Sequence, residues 1–190
     1  MKYLLIVLLL YPSFVSAQNI VLPLDSISGK ITYKEVVKDS LTKDELYIRT
    51  KEWFARSFTS AQDVLQMDDR QAGKLIGKGT ARGFNNSALL SNGFTLYYTV
   101  SIILKDGKYK YEISDFLAKN DYMNGITNSD EKYPLENLLH NDRNKKKNGE
   151  YRDFMVGYIN AIDTAGKSLA ESLKKALKLQ PSNIKSGDDF

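Results

Sequence analysis

The 190-residue chain has no cysteine, one histidine, one tryptophan and four prolines. Without cysteine there is no thiol nucleophile, no disulfide framework, no thiolate zinc site and no residue for a lipoprotein anchor. One histidine cannot build a zinc site alone, and a site made of carboxylates would suit calcium better. An excess of charge is also lacking: 27 Lys and Arg stand against 23 Asp and Glu, a net +4. That balance is too even to point to nucleic acid. The one dense basic run, Arg143 to Lys147, sits in a polar stretch without interleaved aromatics and reads as a solvated loop. Beyond residue 17 no apolar run approaches the ~20 residues of a membrane helix.

Hydrophobic residues make up 42% of the chain, enough for an ordinary globular core in one domain. Tyrosine is abundant, with 12 copies against 8 Phe. It joins an apolar ring to a polar hydroxyl and suits strands, cavities and interfaces alike.

The first seventeen residues read as a cleaved signal peptide. Lys2 supplies the positive end, Leu4 to Leu10 the apolar stretch, and Val15-Ser16-Ala17 the cleavage site before Gln18. Cleavage removes Lys2 and no acid, which lowers the net +4 to +3. The expected location is the periplasm or the exterior, with no transmembrane segment and no lipid anchor on the mature chain.

Residues 18–29 form a leader with Pro23 and Gly29, and residues 30–179 one α+β domain. Ile31 to Val37 is a strand whose apolar face carries Ile31, Tyr33 and Val37, interrupted by Glu35. Thr42-Lys43-Asp44-Glu45 is a capping box opening a helix that runs to about Phe58. Its buried stripe is Leu46, Thr50, Trp53, Phe54, Ser57 and Phe58. Val64 to Met67 is a short strand, and Asp68 to Gly73 the turn after it. Lys74 to Phe84 alternates, with Leu75, Gly77, Gly79, Ala81 and Gly83 on one face. So many glycines on a strand face imply that something bulky passes close over it. Asn85 to Gly93 reads as a loop.

Phe94 to Leu104 alternates again, Asp106-Gly107 reads as a type I′ hairpin turn, and Tyr109, Tyr111 and Ile113 line the returning strand. Residues 119–148 form a long polar loop in which Pro134 to His140 makes a helical turn docked by Leu135, Leu138 and Leu139. Tyr151 to Leu179 is a long helix with an unbroken stripe through Phe154, Met155, Tyr158, Ile159, Ile162, Ala165, Leu169, Leu173, Ala176 and Leu177. Pro181 ends it, and residues 180–190 read as a disordered tail. The expected architecture is strand, helix, four antiparallel strands and long C-terminal helix, of TBP-like or helix-grip-like type, with helices on one face of a curved sheet.

Four stretches carry a resemblance. Ile31-Thr32-Tyr33-Lys34-Glu35-Val36-Val37, Glu45-Leu46 through Trp53-Phe54, Ala61-Gln62-Asp63-Val64, and Asp68-Asp69 through Gly73-Lys74-Leu75-Ile76-Gly77-Lys78-Gly79 resemble domain of unknown function 4468. This is an exported family of Bacteroides-type bacteria with a TBP-like fold. The resemblance covers about residues 31–117 and implies export and a strand–helix–four-strand core. It implies no activity, and a TBP-like fold does not by itself confer DNA binding.

Catalytic signatures are missing. The glycines from Gly73 to Gly79 lie within a strand, not in a phosphate loop leading to a helix. Asp68-Asp69 reads as turn chemistry, and His140 stands beside Asp142 in the polar loop. Asp121, Asn124, Asn128 and Asp130 lack the spacing of an EF-hand, and no serine sits in a nucleophile elbow. Of the strand acids Glu35, Glu112 and Asp115, Glu35 is the odd one on its face, a rim position. No catalytic residue, metal ligand or cofactor site follows. The first expectation is a non-catalytic binding module for a small amphiphile or a peptide. Tyr33, Tyr98, Tyr109, Tyr111 and Tyr158 would line its site between sheet and long helix. The second is an interaction or structural protein meeting an envelope partner without a cavity. An enzyme of unfamiliar type comes third.

Overall fold

A computed structural model describes residues 21–58, 60, 64–87, 90–120, 131–147, 149 and 151–178, without side-chain detail at 85–87, 90–92, 153 and 154. The signal peptide with its Ala17 cleavage site, the side chain of Phe154, and the tail from 180 to 190 lie outside the described residues.

The elements are β1 (Tyr33–Lys38), α1 (Lys43–Ser57), β2 (Leu65–Asp69), β3 (Lys74–Ser87), β4 (Leu90–Lys105) and β5 (Lys108–Asn120). They are followed by β6 (Tyr133–Pro134), α2 (Leu135–Leu139), a 3-10 turn at Asp142–Asn144 and α3 (Asp153–Lys178). The curved antiparallel sheet runs β1-β5-β4-β3-β2, and β6 adds to β5. The expected α+β order is therefore present, with the two-residue β6 as an addition.

One sheet face is core. Leu75, Phe94, Leu96, Val100, Ile102, Leu104 and Ile113 are all buried, and α1 and α3 cover them. The other face is at most half-covered, with Lys78, Thr80 and Phe84 exposed. Alternation produces this division because side chains two apart share a face.

Helix α1 starts as its sequence dictates. Thr42 Oγ1 accepts from the Glu45 amide at 3.3 Å, and Glu45 Oε2 accepts from the Thr42 amide at 2.8 Å. Its buried residues are Leu46, Arg49, Thr50, Trp53 and Phe54, whereas Ser57 is exposed. Helix α3 has 26 residues, about 39 Å at 1.5 Å per residue. It begins at Asp153, because Tyr151 is held in a bridge with Lys145.

Other boundaries differ from the sequence reading. Strands β3 and β4 continue through most of the expected 85–93 loop, with Asn85 paired to Asn92 and Ser87 to Leu90. Backbone pairing needs no apolar side chains, so the Asn- and Ser-rich composition conceals the ladder. Strand β2 reaches Asp69, leaving only Arg70 to Gly73 as the turn. The 119–148 region begins as strand, since β5 extends to Asn120. Within it, Leu135 and Leu139 of α2 are buried and Leu138 is half-buried.

The hairpin at Asp106-Gly107 is present, with Lys105 paired to Lys108, but it is not of type I′. Only Gly107 has a positive φ, +74°, whereas type I′ needs two such residues. The turn instead docks on the β1–α1 connection. Gly107 N donates to Leu41 O at 3.0 Å, and Asp106 Oδ1 accepts from Lys43 N at 2.7 Å. Gly107→Val places a β-branched residue at that angle and is expected to cost about 1–2 kcal/mol. Equilibrium urea unfolding measures it, and an unchanged midpoint would contradict the geometry.

Candidate functional site

The five tyrosines expected to line a ligand site all belong to the sheet–helix interface, where each is engaged in packing. Tyr33 lies against Gly166 of α3, edge-on to Phe116 at 6.0 Å, and its hydroxyl donates to Asp163 at 3.0 Å. Burial and that carboxylate push its phenol well above the ordinary range. Tyr98 is 6% exposed and lies over Gly79. Tyr158 tilts against Phe94 with ring centres 4.3 Å apart, and its hydroxyl donates to Asn120 at 2.6 Å. It also meets the Tyr133 hydroxyl at 2.9 Å, which ties β6 to α3.

Tyr111 donates to Glu35 Oε2 at 2.9 Å. The Tyr109 hydroxyl is buried without a hydrogen-bond partner among the described residues, and burial pushes its phenol up to about 12.

Glu35 sits at the rim of this interface, as its place in the strand suggested. The Lys174 ammonium of α3 lies 2.9 Å from its carboxylate. That contact, then the Tyr111 hydroxyl, holds the carboxyl below its ordinary 4.5. A folded-state pKa below the unfolded one means a contribution present at neutral pH and lost as pH falls below about 4.5. The pair is half-exposed, so solvent screening keeps the effect small. Glu35→Gln is therefore expected to flatten the acid side of the stability–pH curve below pH 4.5. Urea midpoints between pH 3 and 7 read this out, and an unchanged acid limb would contradict it.

Asp68 and Asp69 serve structure. Asp68 accepts from Tyr47 at 2.5 Å and pairs with Lys51, while Asp69 caps the turn by accepting from Ala72 N at 2.8 Å. The two neighbouring carboxylates thus serve different partners. Among the described residues no group of three or more His, Asp and Glu is placed to hold a metal ion. No described helix is long and apolar enough to cross a membrane.

A pocket of about 300 Å³ lies elsewhere, where the leader folds back onto the domain. Asp25 organises that fold, accepting from the Ser28 amide at 2.8 Å and pairing with Lys34. Leu24 bridges to Ile31, and Thr32 N donates to Pro23 O at 2.9 Å. One wall of the pocket is Val21, Leu22 and Leu24; the other is Leu139, His140, Lys145, Tyr151 and Ile159. Leu22, Leu139 and Ile159 are buried, but Val21 and Leu24 are 87% and 49% exposed. The polar groups are few: one imidazole, one ammonium and one phenol. Sequence reasoning missed this pocket, although it had isolated His140 and the basic run to which Lys145 belongs.

The fold agrees with known structures. A family protein from Bacteroides ovatus ATCC 8483 (DUF4468 family) superposes with a TM-score of 0.63 at 14% identity, covering 84% of this chain and 92% of that one. A TBP-like protein from Parabacteroides distasonis ATCC 8503 gives 0.63 at 17% identity, covering 84% and 99%. No curated protein matches the chain. The family model described as a domain of unknown function (DUF4468) with TBP-like fold matches residues 33–119, the span from β1 through nearly all of β5, and over that span the chain is similar to this family.

Proposed function

We propose that this protein is an exported, non-catalytic binding module whose site is the pocket between the leader, α2 and the start of α3. The observation that carries the reading is the pocket's make-up: an apolar wall with a few polar tips, at the small end of the ~300–1,000 Å³ range of ligand sites. The exposed Val21 and Leu24 side chains support it, since apolar groups at a pocket mouth gain from being covered. Export rests on the signal-peptide pattern of residues 1–17. N-terminal sequencing of the mature protein should begin at Gln18, and a chain beginning at Met1 in the envelope fraction would refute it.

The binding reading is tested with N-phenyl-1-naphthylamine, a neutral fluorescent probe. The wild-type protein should take it up saturably with enhanced emission. Leu24→Asp should weaken uptake at least about tenfold while leaving the melting temperature nearly unchanged, because Leu24 is half-exposed. No uptake by the wild-type protein, or equal uptake by the variant, would remove the pocket as the site.

A further inference from the structure

Building on that reading of the pocket, we propose that its ligand carries a single negative charge, a carboxylate on a short apolar tail, with Lys145 as the group that binds the head. The pocket offers one full positive charge among apolar walls. Lys145 lines it together with Tyr151, and the ammonium lies 5.8 Å from the centre of the Tyr151 ring. The residue is fixed at its backbone, not left on a loose loop. Lys145 pairs with Tyr151 in an antiparallel bridge, and its amide donates to Asp142 O at 3.0 Å. The adjacent Asn144 is buried, its side chain donating to Leu138 O at 2.7 Å, while Arg152 N donates to Asn144 O at 2.8 Å. The backbone of the cation is thus ordered before an anion arrives, and only its side chain has still to be fixed.

Among the described residues, the acid within reach of Lys145 does not satisfy it. Asp142 is 3.9 Å away, with a side chain that is 97% exposed. A contact so long and so wet contributes little and yields to a bound carboxylate. The surrounding sequence adds to the same sign: between 141 and 152 the bases are Arg143, Lys145, Lys146, Lys147 and Arg152, and the acids only Asp142 and Glu150. An excess of positive charge in the segment that carries Lys145 concentrates anions and repels cations. His140, also in the lining, supplies a second polar group. The basic run read from sequence as a solvated loop thereby acquires a role. The volume of about 300 Å³ limits the tail to a short chain or a single ring.

The test compares octanoate, octanol and octylamine at pH 7.4 as displacers of N-phenyl-1-naphthylamine, with octanoate binding also measured directly by calorimetry. Octanoate should bind about tenfold more tightly than octanol, and octylamine more weakly than either. Lys145→Gln should erase the advantage of octanoate while leaving octanol unchanged. If the probe binds but acid and alcohol are equal, or if Lys145→Gln retains the preference, the head-group assignment fails and the pocket stands. If neither the probe nor octanoate binds, the pocket itself is wrong.

Discussion

Gly77→Val is expected to destabilise the protein by about 3 kcal/mol, the upper end of the ~1–3 kcal/mol typical of overpacking. A Cβ at Gly77 would stand 2.5 Å from Phe54 Cε1 and 3.2 Å from both Phe54 Cζ and Val64 Cγ1. Phe54 has no exposed surface into which it could retreat. Its ring is also locked by Trp53 edge-on at 4.9 Å and by Phe58 stacked at 5.6 Å. Relief must therefore come from moving α1 off β3, which opens the core. At roughly 2–4 °C per kcal/mol for a chain of this size, the melting temperature should fall by about 6–12 °C.

Gly79→Val serves as the comparison. Its Cβ would meet Tyr98 at 2.6 Å and Phe58 at 2.7 Å, but Phe58 is only half-buried and can turn outward. A loss of about 1–2 kcal/mol is expected there. A reversed order of the two variants would mean that the rings over Gly79, the buried Tyr98 foremost, yield less readily than Phe54.

That glycine face shows what the sequence could and could not reveal. The period of two from Lys74 to Phe84 announces a strand, and small residues on one side announce a close neighbour. The identity of the neighbour was not legible. The long helix packs on β3, yet the atoms nearest Gly77 and Gly79 belong to Phe54 of α1, Phe58 just beyond its end, Val64 and Tyr98.

Asp115 is a second case. It adopts φ +54° at a bulge where the β4–β5 register shifts between Tyr97 and Thr99. The bulge changes the parity of β5, so Phe116 and Ala118 join the core beside Ile113. Asp tolerates the left-handed region better than most residues, but a lone Asp inside an alternating strand is too common a pattern to mark the bulge.

Arg49 shows the limit of an apolar stripe. It is 9% exposed, and its guanidinium donates to Leu177 O at 2.5 Å, placing a cation at the C-terminal end of α3 where the helix dipole favours one. The contact spans 128 residues, beyond any local pattern. The candidate pocket escaped for a related reason. Its leader wall has three apolar residues among Pro, Asp and Ser, too few to show a period, and they become a wall only by folding back over α2 and α3.

Phe94→Ala is expected to cost about 3–5 kcal/mol, as large buried aromatic truncations do. Phe94 is fully buried, opposite Gly83 in the ladder, and its ring occupies the space a side chain at 83 would need. A Cβ at Gly83 would lie 2.1, 2.5 and 2.8 Å from three Phe94 ring carbons, and these are its three nearest atoms. At this end of the sheet one ring joins it to the long helix: Phe94 covers Gly83 and bears on Tyr158, which in turn holds Asn120 and Tyr133. Removing the ring leaves a cavity and frees Tyr158, so amide exchange should quicken around Tyr133 as well as in β4.

The arrangement also predicts a coupling. Gly83→Ala alone should destabilise, because the ring cannot yield without pressing on Tyr158. In the Phe94→Ala background the same change meets no ring and should be neutral or stabilising, since alanine suits a strand better than glycine. A double-mutant cycle by urea unfolding should thus give an interaction energy of at least about 1 kcal/mol, within the ~0.5–3 kcal/mol seen for residues in contact. Additive behaviour of the two substitutions would show that Phe94 is not what fills the space over Gly83.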